Sequence, residues 1–200
     1  MRNIIIGSAI SMLLFAACNN GNNKSTSENI TSNDTTQTEA MDNEETASPN
    51  GVDGKSHATV TEIVAGYLQV KNALASDNGK DAATGGNAIV EAMDKFDKSA
   101  LTADQKKAYD DVADDTKEMA EHISKNADKI AHQREHFDML SKDMYDLVKT
   151  FGARQLLYQD FCPMYNDKKG ATWLSETKEI RNPYLGKKMP TCGTVKEEIK

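Results

Sequence analysis

The chain has 200 residues, with 24 Lys+Arg against 31 Asp+Glu and a formal net charge of −7. That length suits one domain with appendages. The acidic balance speaks against nucleic acid as a partner, because neutralising phosphates takes clustered Lys and Arg.

Residues 1–17 read as a signal peptide. Arg2 is the only charge there, and the apolar run Ile4–Ala17 has the length of a leader core, too short to span a bilayer as a mature helix. The run ends in Leu14-Phe15-Ala16-Ala17-Cys18. Small residues directly before a cysteine resemble the lipobox of bacterial lipoproteins, which marks Cys18 for lipidation. Two or three acyl chains supply the multiple signals that stable anchoring requires. Asn19-Asn20 after the cysteine gives no clear inner-membrane retention signal. The expected address is therefore the cell envelope, held by a lipid anchor, in the outer membrane facing the periplasm. Residues 18–56 follow as a lipid-anchored tether. They are rich in Asn, Ser and Thr, and Ile30, Met41 and Val52 stand isolated. Such a stretch cannot bury enough surface to offset its ordering entropy, so it is expected to be disordered.

Residues 57–152 carry helical patterning. Thr59 and Glu62 have capping-box spacing, and Val60, Ile63, Val64, Tyr67, Leu68 and Leu74 follow at helical intervals. Asp77-Asn78-Gly79 is a stop signal. A second segment places Ile89, Ala92, Met93 and Phe96 on one face, although Gly85-Gly86 weaken its first half by about 1 kcal/mol each. Thr102 and Gln105 form another capping box, and Tyr109, Val112, Met119 and Ile123 line the third helix. Asn126 is the expected cap of a fourth, with Ile130, Phe137, Leu140, Met144, Leu147, Val148 and Phe151 inward and Gly152 as its stop. Four amphipathic helices with short connections predict an all-α fold, an antiparallel four-helix bundle. Met93, Met119, Met139 and Met144 lie on the stripes and read as core filler. Arg134, near the inward face, needs an acidic or carbonyl partner and reads as a clamp between bundle and tail.

His132 and His136 are four apart and share a helix face, a spacing that holds a divalent metal with two imidazoles. Two ligands are not a site, and His122 and Asp128 are the nearest candidates to complete it. Structural or merely exposed histidines are the competing reading.

Residues 153–200 change character. They hold three of the four prolines, the only Trp and both remaining cysteines. The expectation is an irregular, turn-rich flap packed on the bundle, anchored by Trp173 and closed by a short helix capped by Thr194 and Glu197. Its sulfurs are patterned: Cys162 and Met164 are two apart, Met189 and Cys192 three apart. Thiolate plus thioether is a soft ligand set that suits Cu(I). In an oxidising compartment the same cysteines are disulfide candidates, and the closed loop of about 30 residues would add about 3–4 kcal/mol.

At these residues the chain resembles the family catalogued as domain of unknown function 3347. In the tail the resemblance rests on Cys162-Pro163-Met164, Gly170-Ala171-x-Trp173-Leu174, Asn182-Pro183-Tyr184 and Met189-x-x-Cys192-Gly193. Upstream it rests on Tyr67-Leu68-x-x-Lys71 and Gln133-Arg134-Glu135. It spans about residues 60–199. The resemblance implies an exported lipoprotein of the Bacteroidetes type, related to domains attached to adaptor subunits of copper/silver efflux pumps. It thereby raises copper as the ligand, held by Cys162, Met164, Met189 and Cys192, and an efflux adaptor as partner.

The expected function is a non-enzymatic envelope lipoprotein that buffers a soft metal or passes it to an efflux system. The alternative is a scaffold lipoprotein with a structural Cys162–Cys192 disulfide. No nucleophile–base constellation, phosphate loop or closed zinc motif points to an enzyme.

Overall fold

Helical periodicity over residues 57–152 ends before a tail of different pattern, and the computed structural model shows four helices followed by three short strands. It describes residues 54–200. The expected leader, the lipidated Cys18 and nearly all of the tether lie outside the described residues. Helix α1 spans Gly54–Ala75, α2 Gly79–Asp94, α3 Ala103–Lys125 and α4 Ile130–Phe151. Strands β1 (Leu157–Cys162), β2 (Ala171–Ser175) and β3 (Thr194–Ile199) follow, with a single 3-10 turn at Gly186–Lys188. No helix of the described residues is long and apolar enough to cross a membrane.

The bundle forms as its stripes dictate. Val60, Ile63, Val64, Tyr67, Leu68 and Leu74 of α1 are all buried, as are Phe137, Leu140, Met144, Leu147, Val148 and Phe151 of α4. Each helix packs on the next, and α4 also packs on α1. Thr102 and Gln105 make both halves of the capping box that starts α3. Two boundaries differ from expectation. Helix α1 begins five residues before Thr59, whose hydroxyl donates instead to the Lys55 carbonyl one turn back. Helix α4 begins after Lys129, because Asn126 ends α3 and turns its side-chain amide back onto the His122 carbonyl. Met139 is a further correction: it is 42% exposed, while Met93, Met119 and Met144 are core.

Gly85 and Gly86 weaken α2 locally and are kept for packing. A Cβ on Gly85 would lie 2.9 Å from the Gly66 carbonyl of α1, and one on Gly86 would lie 2.7 Å from the Ala120 carbonyl of α3. Both neighbours are backbone, so relief requires the helices to part. Gly86→Ala gains about 1 kcal/mol of helix propensity yet is expected to lose roughly 1–3 kcal/mol net through overpacking. A lower denaturation midpoint with an unchanged denaturant slope would show this.

The all-α expectation is corrected by the tail, which is a three-stranded antiparallel sheet in the order β2-β1-β3. β1 is central, with Asp160 opposite Trp173 on one side and Phe161 opposite Thr194 on the other. The expected last helix at Thr194 is β3. Pairing with β1 satisfies its backbone, and its exposure alternates with the strand period of two. β2 packs on α4 and α1, and Trp173, Leu174 and Tyr184 join the helical residues in one apolar core.

The anchors between the two halves are specific. Trp173 is 1% exposed and edges onto Tyr184, while Tyr67 accepts from the Leu174 N–H and pairs with the Ser141 hydroxyl. Arg134 is the clamp its position implied. Its guanidinium donates to the Pro183 carbonyl at 2.8 Å, the Leu74 carbonyl at 2.8 Å and the Asp77 carboxylate at 2.5 Å. Asp77, in the left-handed region at φ 56°, also accepts from the Lys187 N–H. The guanidinium beside it holds the Asp77 carboxyl below its ordinary range.

Candidate metal centre

The α3–α4 turn brings three imidazoles together. His122 sits in the last turn of α3, and His132 and His136 lie on one face at the start of α4. Gln133 fixes the approach. Its buried side-chain amide donates to the Ile123 carbonyl at the end of α3 and to the Gly79 carbonyl at the start of α2, each at 2.9 Å. One ring nitrogen from each of His122, His132 and His136 falls within 4.8 Å of the others. His122 and His136 stack with centroids 4.3 Å apart, and His132 meets His136 edge-on at 4.4 Å. Asp128, the other candidate to complete the His132–His136 pair, is not part of this group.

Each ring has a polar or sulfur neighbour on its outer side. His136 Nδ1 lies 3.2 Å from the Met119 sulfur, a weak acceptor. His132 Nδ1 faces the Glu135 carboxylate at 3.4 Å, and His122 Nε2 faces the Glu118 carboxylate at 3.7 Å. His132 Nε2 and His136 Nε2 stand 3.1 Å apart, so one ring can donate to the other, or, with both hydrogens on Nδ1, two lone pairs face one point. Two lone pairs at that distance repel unless a proton or a cation lies between them. Imidazoles that bind metals characteristically donate their second N–H to a carboxylate or other acceptor, and Glu135 and Glu118 stand close enough to take that part with a small shift. Burial and the two neighbouring rings push the His136 pKa below its ordinary value, which favours the neutral, ligating form. The His122 and His132 side chains are 43% and 38% exposed, so an ion held there remains open to solvent on one side.

The sulfur tail is built differently. Cys162 ends β1, and Cys192 lies two residues before β3, the strand paired with β1. Their sulfurs are 2.6 Å apart, close enough for a bond to form between them. Cys162 is fully buried, whereas Cys192 is partly exposed. Burial, followed by the neighbouring Cys162 thiol, raises the Cys192 pKa, and the Met164 N–H directed at its sulfur opposes that rise. The structure thus unites the two cysteines. Met164 and Met189 are 47% and 39% exposed.

A buried charge cluster joins α1 to the sheet. Lys71 is fully buried and donates to Glu176 at 2.7 Å, and the Asn72 amide donates to the other Glu176 oxygen, also at 2.7 Å. Asp160, likewise fully buried, faces Lys71 and its cross-strand neighbour Trp173. Burial pushes its carboxyl up to about 7, against the pull of the Lys71 ammonium and the Trp173 indole N–H.

A family model described as protein of unknown function (DUF3347) matches residues 63–155. The match contains His122, His132 and His136 and stops before β1, so the cysteines lie outside it. No curated protein and no solved structure matches the chain.

Proposed function

The chain belongs to the DUF3347 family through residues 63–155, and from that premise we propose that it is a metal-binding protein of the cell envelope whose ion sits among His122, His132 and His136. The observation that carries this reading is the convergence of three ring nitrogens within 4.8 Å, with acceptors behind them. Three imidazoles suit zinc, copper, iron or nickel, and affinity among divalent first-row ions peaks at copper. Copper is therefore the ion of choice, in keeping with the resemblance to domains attached to copper/silver efflux adaptors. Three protein ligands leave a coordination position open, and the half-exposed rings let a second donor reach it. Such a site suits buffering, or transfer to an efflux adaptor. The lipid anchor at Cys18 and the tether would keep the domain near the envelope partner it serves.

The test is a copper(II) titration of the full chain, carrying Cys18→Ser, against a competing chelator at pH 7.5. The expected result is one tightly held ion per chain, with nitrogen hyperfine structure from imidazole in its electron paramagnetic resonance spectrum. The His132→Ala/His136→Ala variant should lose roughly 100-fold or more in affinity. A chain that binds no copper above the chelator, or binds it equally well in that variant, overturns the proposal.

A further inference from the structure

The metal reading leaves the paired sulfurs of the sheet unused, and their surroundings are unequal. The Cys162 side chain is sealed under the sheet, opposite Ala171. Cys192 lies in the turn that leads into β3 and reaches the surface. That turn is braced from two sides. The Cys192 N–H donates to the Met189 carbonyl, and the Cys192 carbonyl accepts from the Asn182 side-chain amide at 2.6 Å. Asn182 is itself fully buried and accepts from the Tyr184 and Leu185 N–H groups, which ties the turn to the core. Gly193, at φ 155°, lets the chain pass close to Trp173, where a Cβ would lie 2.9 Å from the indole. The scaffold holds the sulfurs in contact and shows only one of them to solvent.

We propose that Cys162 and Cys192 are a thiol–disulfide pair that enters exchange through Cys192 alone. The partner is a donor disulfide, as carried by a small molecule or by the dithiol oxidases of an oxidising compartment. The Cys192 thiolate attacks one sulfur of the donor. The donor S–S bond breaks, a mixed disulfide forms at Cys192, and the first donor thiolate leaves. The Cys162 thiolate, already in contact, then attacks the Cys192 sulfur and expels the second donor thiolate. The two cysteine protons end on the leaving thiolates. Two cysteines are oxidised to one disulfide, and the donor is reduced by two electrons. The buried Cys162 is the resolving sulfur, because a donor cannot reach it and Cys192 can. The inference stands independently of the imidazole site, since neither sulfur belongs to it.

The probe is the aromatic disulfide 5,5′-dithiobis(2-nitrobenzoic acid), added to the full chain carrying Cys18→Ser. The reduced protein should release two nitrothiolates per chain and retain no adduct by mass, because ring closure ejects the second. The Cys162→Ser variant should keep one adduct, on Cys192. The Cys192→Ser variant should react roughly 100-fold more slowly, since accessibility governs thiol reactivity. In guanidinium the two variants should react alike. A second reading needs no variant: limiting iodoacetamide on the reduced, folded protein should label the Cys192 peptide and spare Cys162. Two retained adducts on the folded chain, or equal labelling of both cysteines, overturns the proposal.

Discussion

Replacing Asp160 by Asn should stabilise the protein by roughly 2–4 kcal/mol at pH 8 and change little at pH 4. Asp160 is fully buried on the central strand, and neither of its oxygens meets a well-formed hydrogen bond among the described residues. Its carboxyl is pushed up to about 7 from an ordinary value of 3.8, with burial the largest cause. The sign follows from proton counting. Between those two values the folded state holds a proton that the unfolded state has released. Stability associated with Asp160 is therefore complete below about pH 4, declines as pH rises, and is lost above about pH 7. Asn resembles the protonated acid at every pH, so its advantage appears where the acid would have to ionise. The charges facing Asp160 are few. Lys71 from α1 attracts the carboxylate, but that ammonium is already committed to Glu176. Chemical denaturation of both proteins across pH 4–8 reads the effect. A stability gap that does not widen with pH would show that Asp160 ionises without cost.

The second large effect concerns the imidazoles. An ion present at 100 times its dissociation constant adds about 2.7 kcal/mol to a fold that alone binds it. For a domain of this size that should raise the melting temperature by roughly 5–10 °C at pH 7.5. The ion joins the end of α3 to the start of α4, so it ties two elements that would otherwise separate on unfolding. Metal binding needs neutral rings, and free histidine takes up its proton near pH 6.5. His136 resists protonation further because burial and two neighbouring rings disfavour its charge. The thermal shift should fade as pH falls through that range and be nearly gone at pH 5. In the His132→Ala/His136→Ala variant it should be absent at both pH values. A shift that survives in the variant would place the ion elsewhere.

The sequence showed the bundle more fully than the sheet, for physical reasons. Helices write their burial locally, so Val60 through Leu74 and Phe137 through Phe151 could be read at a period near 3.6. The capping box at Thr102 and Gln105 is equally local. Strands depend on partners distant in the chain. β1 hides a charged residue, Asp160, at an inward position, which breaks the alternation that marks a strand. Thr194 and Glu197 have the spacing of a helix cap, yet Val195 faces Asp160 across a ladder that no local signal announces. The site divides in the same way. His132 and His136 could be seen as a pair because four residues is one helical turn. His122 was only a candidate to complete them, since its place depends on how the α3–α4 turn closes. Glu118, Glu135 and Met119 acquire their roles from that closure as well. Cys162 and Cys192 were legible as a possible pair by elimination. Their unequal exposure comes from the sheet and had no sequence signal. Arg134 was legible as a clamp, because a cation near an apolar face needs partners wherever the tail lies.

The central claim is that the imidazoles, and not the sulfurs, hold the ion. One comparison tests it most directly: chelator-competition titration with copper(II) of three full chains, all with Cys18→Ser. The first has no further change, the second carries Cys162→Ser/Cys192→Ser, and the third carries His132→Ala/His136→Ala. The account predicts equal affinity and one ion per chain for the first two, with binding lost in the third. Binding that persists in the third chain and fails in the second would contradict it and return the ion to the cysteine–methionine tail.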